Sequence, residues 1–167
     1  GRLMDIICSD RQIGEFLAGR DLQDQLSPVD QKVITGFHGV LKMVNDSYDQ
    51  VAFIESHVLQ MHDLLLGKEP LITEAVSLPG ELVDLIQATH NILEDGLLHP
   101  LLVAANFSFR FWHMCPFPEG SRRLTWLLTR LLLLRNDYLF LPYGSLEHFI
   151  EKRLHDYQKN MLEGAIG

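Results

Sequence analysis

Cysteine is scarce in this chain. Cys8 and Cys115 are the only two and lie far apart, which is too few for a disulfide scaffold and fits a reducing compartment. Basic residues are scarce too: 14 lysines and arginines face 22 acids, giving a net charge of −8. The chain therefore lacks the positive balance that nucleic-acid binding needs. Long apolar runs are missing as well. The most apolar stretch, Leu124–Leu134, carries Arg130 inside it and falls well short of the roughly 20 residues that span a bilayer, so no membrane role is read. The first residues show no basic region followed by an apolar core, so they do not read as a secretory leader. A cytoplasmic location is the expectation, and a start at Gly1 rather than Met suggests a chain cut from a longer one. Strand-like alternation, internal repeats and low-complexity tracts are absent. What is present is ordinary for a globular domain: 167 residues, 47% apolar and 22% charged, enough to bury a core of its own.

The apolar spacing is helical nearly throughout. Ser9-Asp10 reads as the cap of a short helix over Arg11–Leu17 that stops at Gly19. Ser27, Pro28 and Asp30 supply an N-cap, a first-position proline and a first-turn acid, which predicts a helix of about 16 residues through Val33, Ile34, Phe37, Val40, Leu41 and Val44. Gly36 and Gly39 on it mark expected close packing. A turn is expected at Asn45-Asp46-Ser47, after which Val51, Ile54, Val58, Met61 and Leu65 continue the helical period to Gly67. His57 and His62 are five apart, whereas helical metal pairs need a spacing of three or four. Lone histidines are more often solvated or satisfied in a core. Lys68–Gly80 reads as a short extended piece, with room only for a vestigial β-hairpin flap. Glu81–Leu93 is amphipathic and closes at Asp95-Gly96. His99-Pro100 opens an apolar helix over Leu101–Met114, and Leu124–Arg135 follows, ending at Asn136-Asp137. Pro142-Tyr143-Gly144 connects to a last helix, capped by Ser145 and Glu147 and running to about Met161. The expected fold class is all-α with six to eight helices. Residues 1–48 are read as N-terminal helices packing on a core of residues 49–167, together one compact unit.

The stretch that carries candidate chemistry is Cys115–Trp126, CPFPEGSRRLTW, between the two most apolar helices. Pro116 and Pro118 end the first helix, Glu119-Gly120 turns the chain, and Ser121-Arg122-Arg123 starts the second. Unpartnered amides at that helix start, beside two arginines, form a candidate anion site. A purely structural turn has the same spacing, and that reading stands beside it. Arg122, Arg123, Arg130 and Arg135 are the one dense source of positive charge.

This loop and its flanks resemble the Fic/Fido family, whose signature HPFxxGNGRxxR lies between two helices. Pro116, Phe117, Glu119, Gly120 and Arg123 match it. GLLHPLLVAANFSFRFWHM before the loop, LTWLLTRLLLLRNDY after it and LPYGSLEHFIEKRLHDYQKNM beyond resemble the family's helices. So do SDRQIGEFLAGRDL, DQKVITGFHGVLKMV and IESHVLQMHDLLLG upstream. The resemblance implies transfer of AMP from ATP to a protein hydroxyl, with Mg²⁺ and ATP as cofactors and a protein as partner or target; oligomerisation is left open. It implies a general base at position 115, a Mg²⁺ ligand at Glu119, and phosphate contacts from the loop at Phe117, Gly120, Ser121, Arg122 and Arg123.

Measured against the signature, Cys115 replaces the base His, Ser121 the Asn, Arg122 the second Gly and Trp126 the final Arg that clamps the γ-phosphate. A thiol suits a nucleophile better than a base. A long side chain at position 122 crowds a cradle built for glycine. Tryptophan removes a bidentate contact worth roughly 1.5–3 kcal/mol. Many relatives also carry an inhibitory [ST]xxxE[GN] helix, and GRLMDI would lie there with Met4 at the Glu position. The expectation is a degenerate Fic/Fido domain, impaired in AMP transfer, that serves as a binding or regulatory module. The alternative is an active nucleotidyl- or phospho-transferase with altered chemistry at Cys115. A third reading takes Cys115 and Trp126 as core packing alone.

Overall fold

The computed structural model describes residues 15–16, 18–19, 26–68, 78–143 and 152–163. The expected cap at Ser9-Asp10, most of the Arg11–Leu17 helix, Met4, the flap segment and the Ser145 cap lie outside them. Among the described residues there are six α-helices and no strand: α1 Pro28–Ser47, α2 Glu55–Leu65, α3 Gly80–Asp95, α4 Pro100–Met114, α5 Ser121–Arg135 and α6 Leu154–Glu163. A 3₁₀ turn follows α5 at Leu141–Tyr143. The all-α expectation is met.

α5 is the axis of the bundle. It packs against α4 on one side and α1 and α2 on the other, while α3 packs on α4 and α1 on α2. Leucine at positions 124, 127, 128, 131, 132 and 134 is almost fully buried, which is why this helix reads as apolar on nearly every face. Several of its polar residues are satisfied internally. Thr125 and Thr129 donate to the carbonyls of Ser121 and Thr125 at 2.9 and 2.7 Å. Buried Arg130 donates through Nε to Asn45 Oδ1 at 2.8 Å and through Nη2 to the Leu141 carbonyl at 2.7 Å. Satisfied in this way, a buried guanidinium ties α1 and the 3₁₀ turn to the central helix.

The capping signals are realised. Ser27 Oγ accepts from the Asp30 amide at 3.0 Å, Gly96 ends α3 in the left-handed region with φ 64°, and His99-Pro100 opens α4. α1 differs from expectation at its end, since it continues through Ser47 instead of turning at Asn45. The Lys42–Asp46 pair at 2.8 Å and the Asn45–Arg130 bond hold that last turn in helix. α2 differs at its start. It begins at Glu55, so buried Val51 and Phe53 reach the core from the connection that precedes it. This connection is fixed by Arg135, whose Nη1 donates to the carbonyls of Tyr48 and Val51, both at 3.1 Å.

Gly36 lets α1 and α2 touch backbone to backbone. A Cβ placed there would lie 2.1 Å from the Leu65 carbonyl oxygen. Gly39 does no comparable work: its nearest neighbour would be a Leu64 methyl at 3.9 Å. The four arginines that are the dense source of positive charge do not gather into one exposed patch. Arg123 and Arg130 are buried, and Arg130 and Arg135, bonded to Asn45 and to carbonyls across the bundle, act as internal struts.

Candidate functional site

The loop between α4 and α5 starts on Cys115, the C-cap of α4, with φ 43° and its amide bonded to the Phe111 carbonyl. A non-glycine residue in this region is uncommon. Beyond the last turn of the helix the side chain has no core to enter, and the thiol is exposed. Core packing by Cys115 is thus overturned. Trp126, in contrast, is 5% exposed, so core packing holds for it.

Phe117 turns inward. Its ring stacks on His62 of α2 at 3.9 Å between centroids and 15° between planes. His62 Nε2 in turn lies 2.9 Å from the Glu119 carbonyl; as the neighbour is an acceptor, the nitrogen donates. One side chain of α2 therefore grips the loop at two points. The Ser121 hydroxyl closes the turn from the other side, accepting from the Phe117 amide and donating to the Phe117 carbonyl, both at 2.9 Å. Gly120, at φ 79°, is the N-cap of α5 and offers no side-chain cap. Its face is pressed on α2, where an added Cβ would lie 3.2 Å from a Leu65 methyl.

The two arginines diverge. Arg122 is exposed and sets its guanidinium 5.0 Å from the Trp112 ring centroid, a cation–π contact worth about 0.5–1 kcal/mol. Arg123 points toward α1 and α2, nine-tenths buried, with Nη2 3.6 Å from Glu119 Oε1. Glu119 itself is exposed. A lone exposed carboxylate holds Mg²⁺ only where phosphates supply most of the remaining oxygens, and this one already faces a guanidinium.

Behind Arg122 lies an aromatic cluster. Trp126 meets Tyr157 of α6 at 4.7 Å and Trp112 of α4 edge-on at 6.2 Å, and Trp112 also meets Tyr157 at 6.0 Å. Burial raises the Tyr157 phenol above its usual range, with a hydrogen bond to Ser108 opposing. An apolar groove of about 360 Å³ opens beside the cluster, between α4, α5 and α6.

The sequence named the loop residues but missed the partners that shape them. His62 gave no spacing signal, and Trp112 and Tyr157 sit at unremarkable positions of helices far apart in the chain. Only the packing of α2 and α6 around α5 brings them to the loop.

No protein-family model matches the sequence, and no curated protein matches it. Solved structures do match: the crystal structure of a Fic family protein from Desulfovibrio desulfuricans G20 superposes over 98% of this chain with a TM-score of 0.77. The chain has a Fic fold. Identity to that protein is 20%, and this chain spans about half of it, 54% of its length. The Fic fold places CPFPEGSRRLTW between α4 and α5, where the signature loop was expected. Among the described residues no helix is long and apolar enough to cross a membrane.

Proposed function

We propose that this Fic-like chain is impaired in AMP transfer and acts as a binding or regulatory module for a protein partner. The observation that carries this reading is the aromatic cluster around Trp126. The resemblance expects a γ-phosphate clamp at that position, and the side chain present is apolar, 5% exposed and packed on Trp112 and Tyr157. Burial of such rings is favourable by several kcal/mol, so the site is invested in packing. Two neighbours support the reading. The Ser121 hydroxyl is engaged with Phe117 on both its donor and acceptor sides, and Arg122 stacks on Trp112 where the signature has a glycine. Calorimetry with Mg-ATP, beside a labelled-AMP transfer assay on protein acceptors, tests it. The expected result is no transfer. Robust transfer that is lost in Cys115→Ala would overturn the proposal.

The exposure of Cys115 favours one competing reading, in which the thiolate acts as a nucleophile in a transferase of altered chemistry. A reactive thiolate alkylates with a midpoint well below the ordinary thiol range of about 8.5. A midpoint at that value, or no reaction, removes this reading.

A further inference from the structure

The large apolar side chains left in solvent are unevenly placed. α4 and α5 have 15 residues each and are joined by the short loop that starts at Cys115, so the start of α4 and the exit of α5 share the end of the bundle about 22 Å from that loop. Leu101 and Leu133 line the same groove, and the Leu141 carbonyl is tied back to Arg130, which brings the segment after α5 to this end as well. Among the described residues, every exposed large hydrophobic side chain except Val29 and Leu162 lies at or beside it.

Six of them carry most of the surface. Leu97, Leu102, Phe140 and Tyr143 are 62 to 93% exposed, and Leu101 and Leu139 are about half-exposed. Local structure does not use them. α3 ends on Gly96 in the left-handed region, a geometry in which the residue that follows usually closes over the last turn of the helix. Leu97 stands out in solvent instead. Leu101 and Leu102 occupy the first turn of α4, on the side away from buried Val103 and Ala104. Together the six present roughly 700 Å² of mostly apolar surface, more than the largest patch of a typical monomer.

None of the six is charged. A two-fold contact sets each residue near its own image across the axis, so a charge at the centre would meet a like charge, and an uncharged apolar centre is what such a contact needs. An anionic membrane is the poorer occupant, because the chain is net −8 and exposed Asp95 and Asp137 stand at the margin.

We infer that this end of the bundle is the contact between two copies of the chain, an isologous homodimer interface with Leu97 and Leu102 at its centre. The roughly 700 Å² offered by each copy falls within the range of a stable complex, about 800 Å² per partner. The two Cys115–Trp126 loops then lie at the far ends of the dimer and face away from each other. Each stays open to a partner of its own. The inference goes beyond the binding-module reading and does not depend on it, because no residue of the loop takes part.

The test is sedimentation equilibrium of the intact chain from about 1 to 100 µM, a range that brackets micromolar self-association. The comparison is between wild type, Leu97→Asp/Leu102→Asp and Val29→Asp. Val29 is an exposed apolar residue in the first turn of α1, whose other end is the one bound to Arg130, so it marks the opposite end of the bundle. An acid in a first turn suits the helix dipole, so Leu102→Asp and Val29→Asp keep their helices, which circular dichroism verifies. The mass of wild type is expected to rise toward twice the monomer's 19.1 kDa. The dissociation constant should weaken at least tenfold in the double variant and stay within twofold of wild type in Val29→Asp. Added salt should leave the dimer as tight or tighter, since apolar burial is not screened. A wild type that stays monomeric throughout, a dimer unchanged in the double variant, or a dimer that loosens with salt overturns the inference. The AMP-transfer assay is read separately, so failure of one leaves the other standing.

Discussion

Replacing Gly36 by alanine tests the contact that sets α2 against the rest of the bundle. The added methyl would lie 2.1 Å from the Leu65 carbonyl oxygen and 2.8 Å from its carbon. Ordinary C···O contacts lie near ~3.3 Å, so the shortfall is about 1.2 Å. The obstacle is backbone, which cannot rotate away as a side chain would, and α2 must shift as a unit. Overpacking of this kind costs about 3 kcal/mol at the upper end of its usual range. Alanine returns about 1 kcal/mol of helix propensity, leaving a net loss of about 2 kcal/mol. For a chain of this size that lowers the melting temperature by about 4–8 °C. Gly39→Ala is the internal control. It lies on the same helix, where an added Cβ would make only an ordinary contact with Leu64 at 3.9 Å, so the propensity term dominates, and a gain of about 1 kcal/mol is expected. Thermal and urea unfolding followed at 222 nm measure both. If Gly36→Ala proves as stable as Gly39→Ala, the backbone contact between α1 and α2 is refuted. The shift should also be felt at the loop, because Leu65 backs Gly120.

Trp126→Ala should cost about 3–5 kcal/mol through loss of a buried ring, read by urea unfolding; a change below 1 kcal/mol would mean the cluster with Trp112 and Tyr157 contributes little. His62→Ala removes both the stack on Phe117 and the bond to the Glu119 carbonyl, and a loss of about 2 kcal/mol is expected. Its amide exchange at residues 117–120 should quicken more than that of α3, whereas a uniform change would contradict a loop clamp. Tyr157 has a raised pKa in the folded chain, so below about pH 10 its contribution to stability is complete. As pH rises past that value the unfolded chain loses the proton first, and stability falls until the folded pKa is passed. Melting temperatures from pH 9 upward should therefore decline less in Tyr157→Phe than in wild type.

Much of this protein was legible from spacing. Ser27-Pro28, Gly96 and His99-Pro100 mark helix ends through chemistry that acts within a few residues, and α3, α4 and α5 appear where their apolar periods put them. The misreadings share a cause. Asn45 looked like a turn residue, but its side chain is bound by Arg130, which is distant in sequence. Cys115 looked buried by residue type, but as the C-cap of α4 it faces out. The four arginines read as a dense source of positive charge, and their linear density hides that α5 is buried on nearly every side.

The sequence by itself determined the helical class, the order of the helices and the composition of the loop, since these rest on local periodicity and capping. It also determined that position 126 carries an apolar ring in place of a guanidinium. Only the tertiary structure decided that this ring joins Trp112 and Tyr157, that His62 clamps Phe117 and Glu119, and that Leu97, Leu102 and Phe140 gather at one end of the bundle. Those are relations between separate helices, and their energies depend on distances across the bundle that no local pattern encodes.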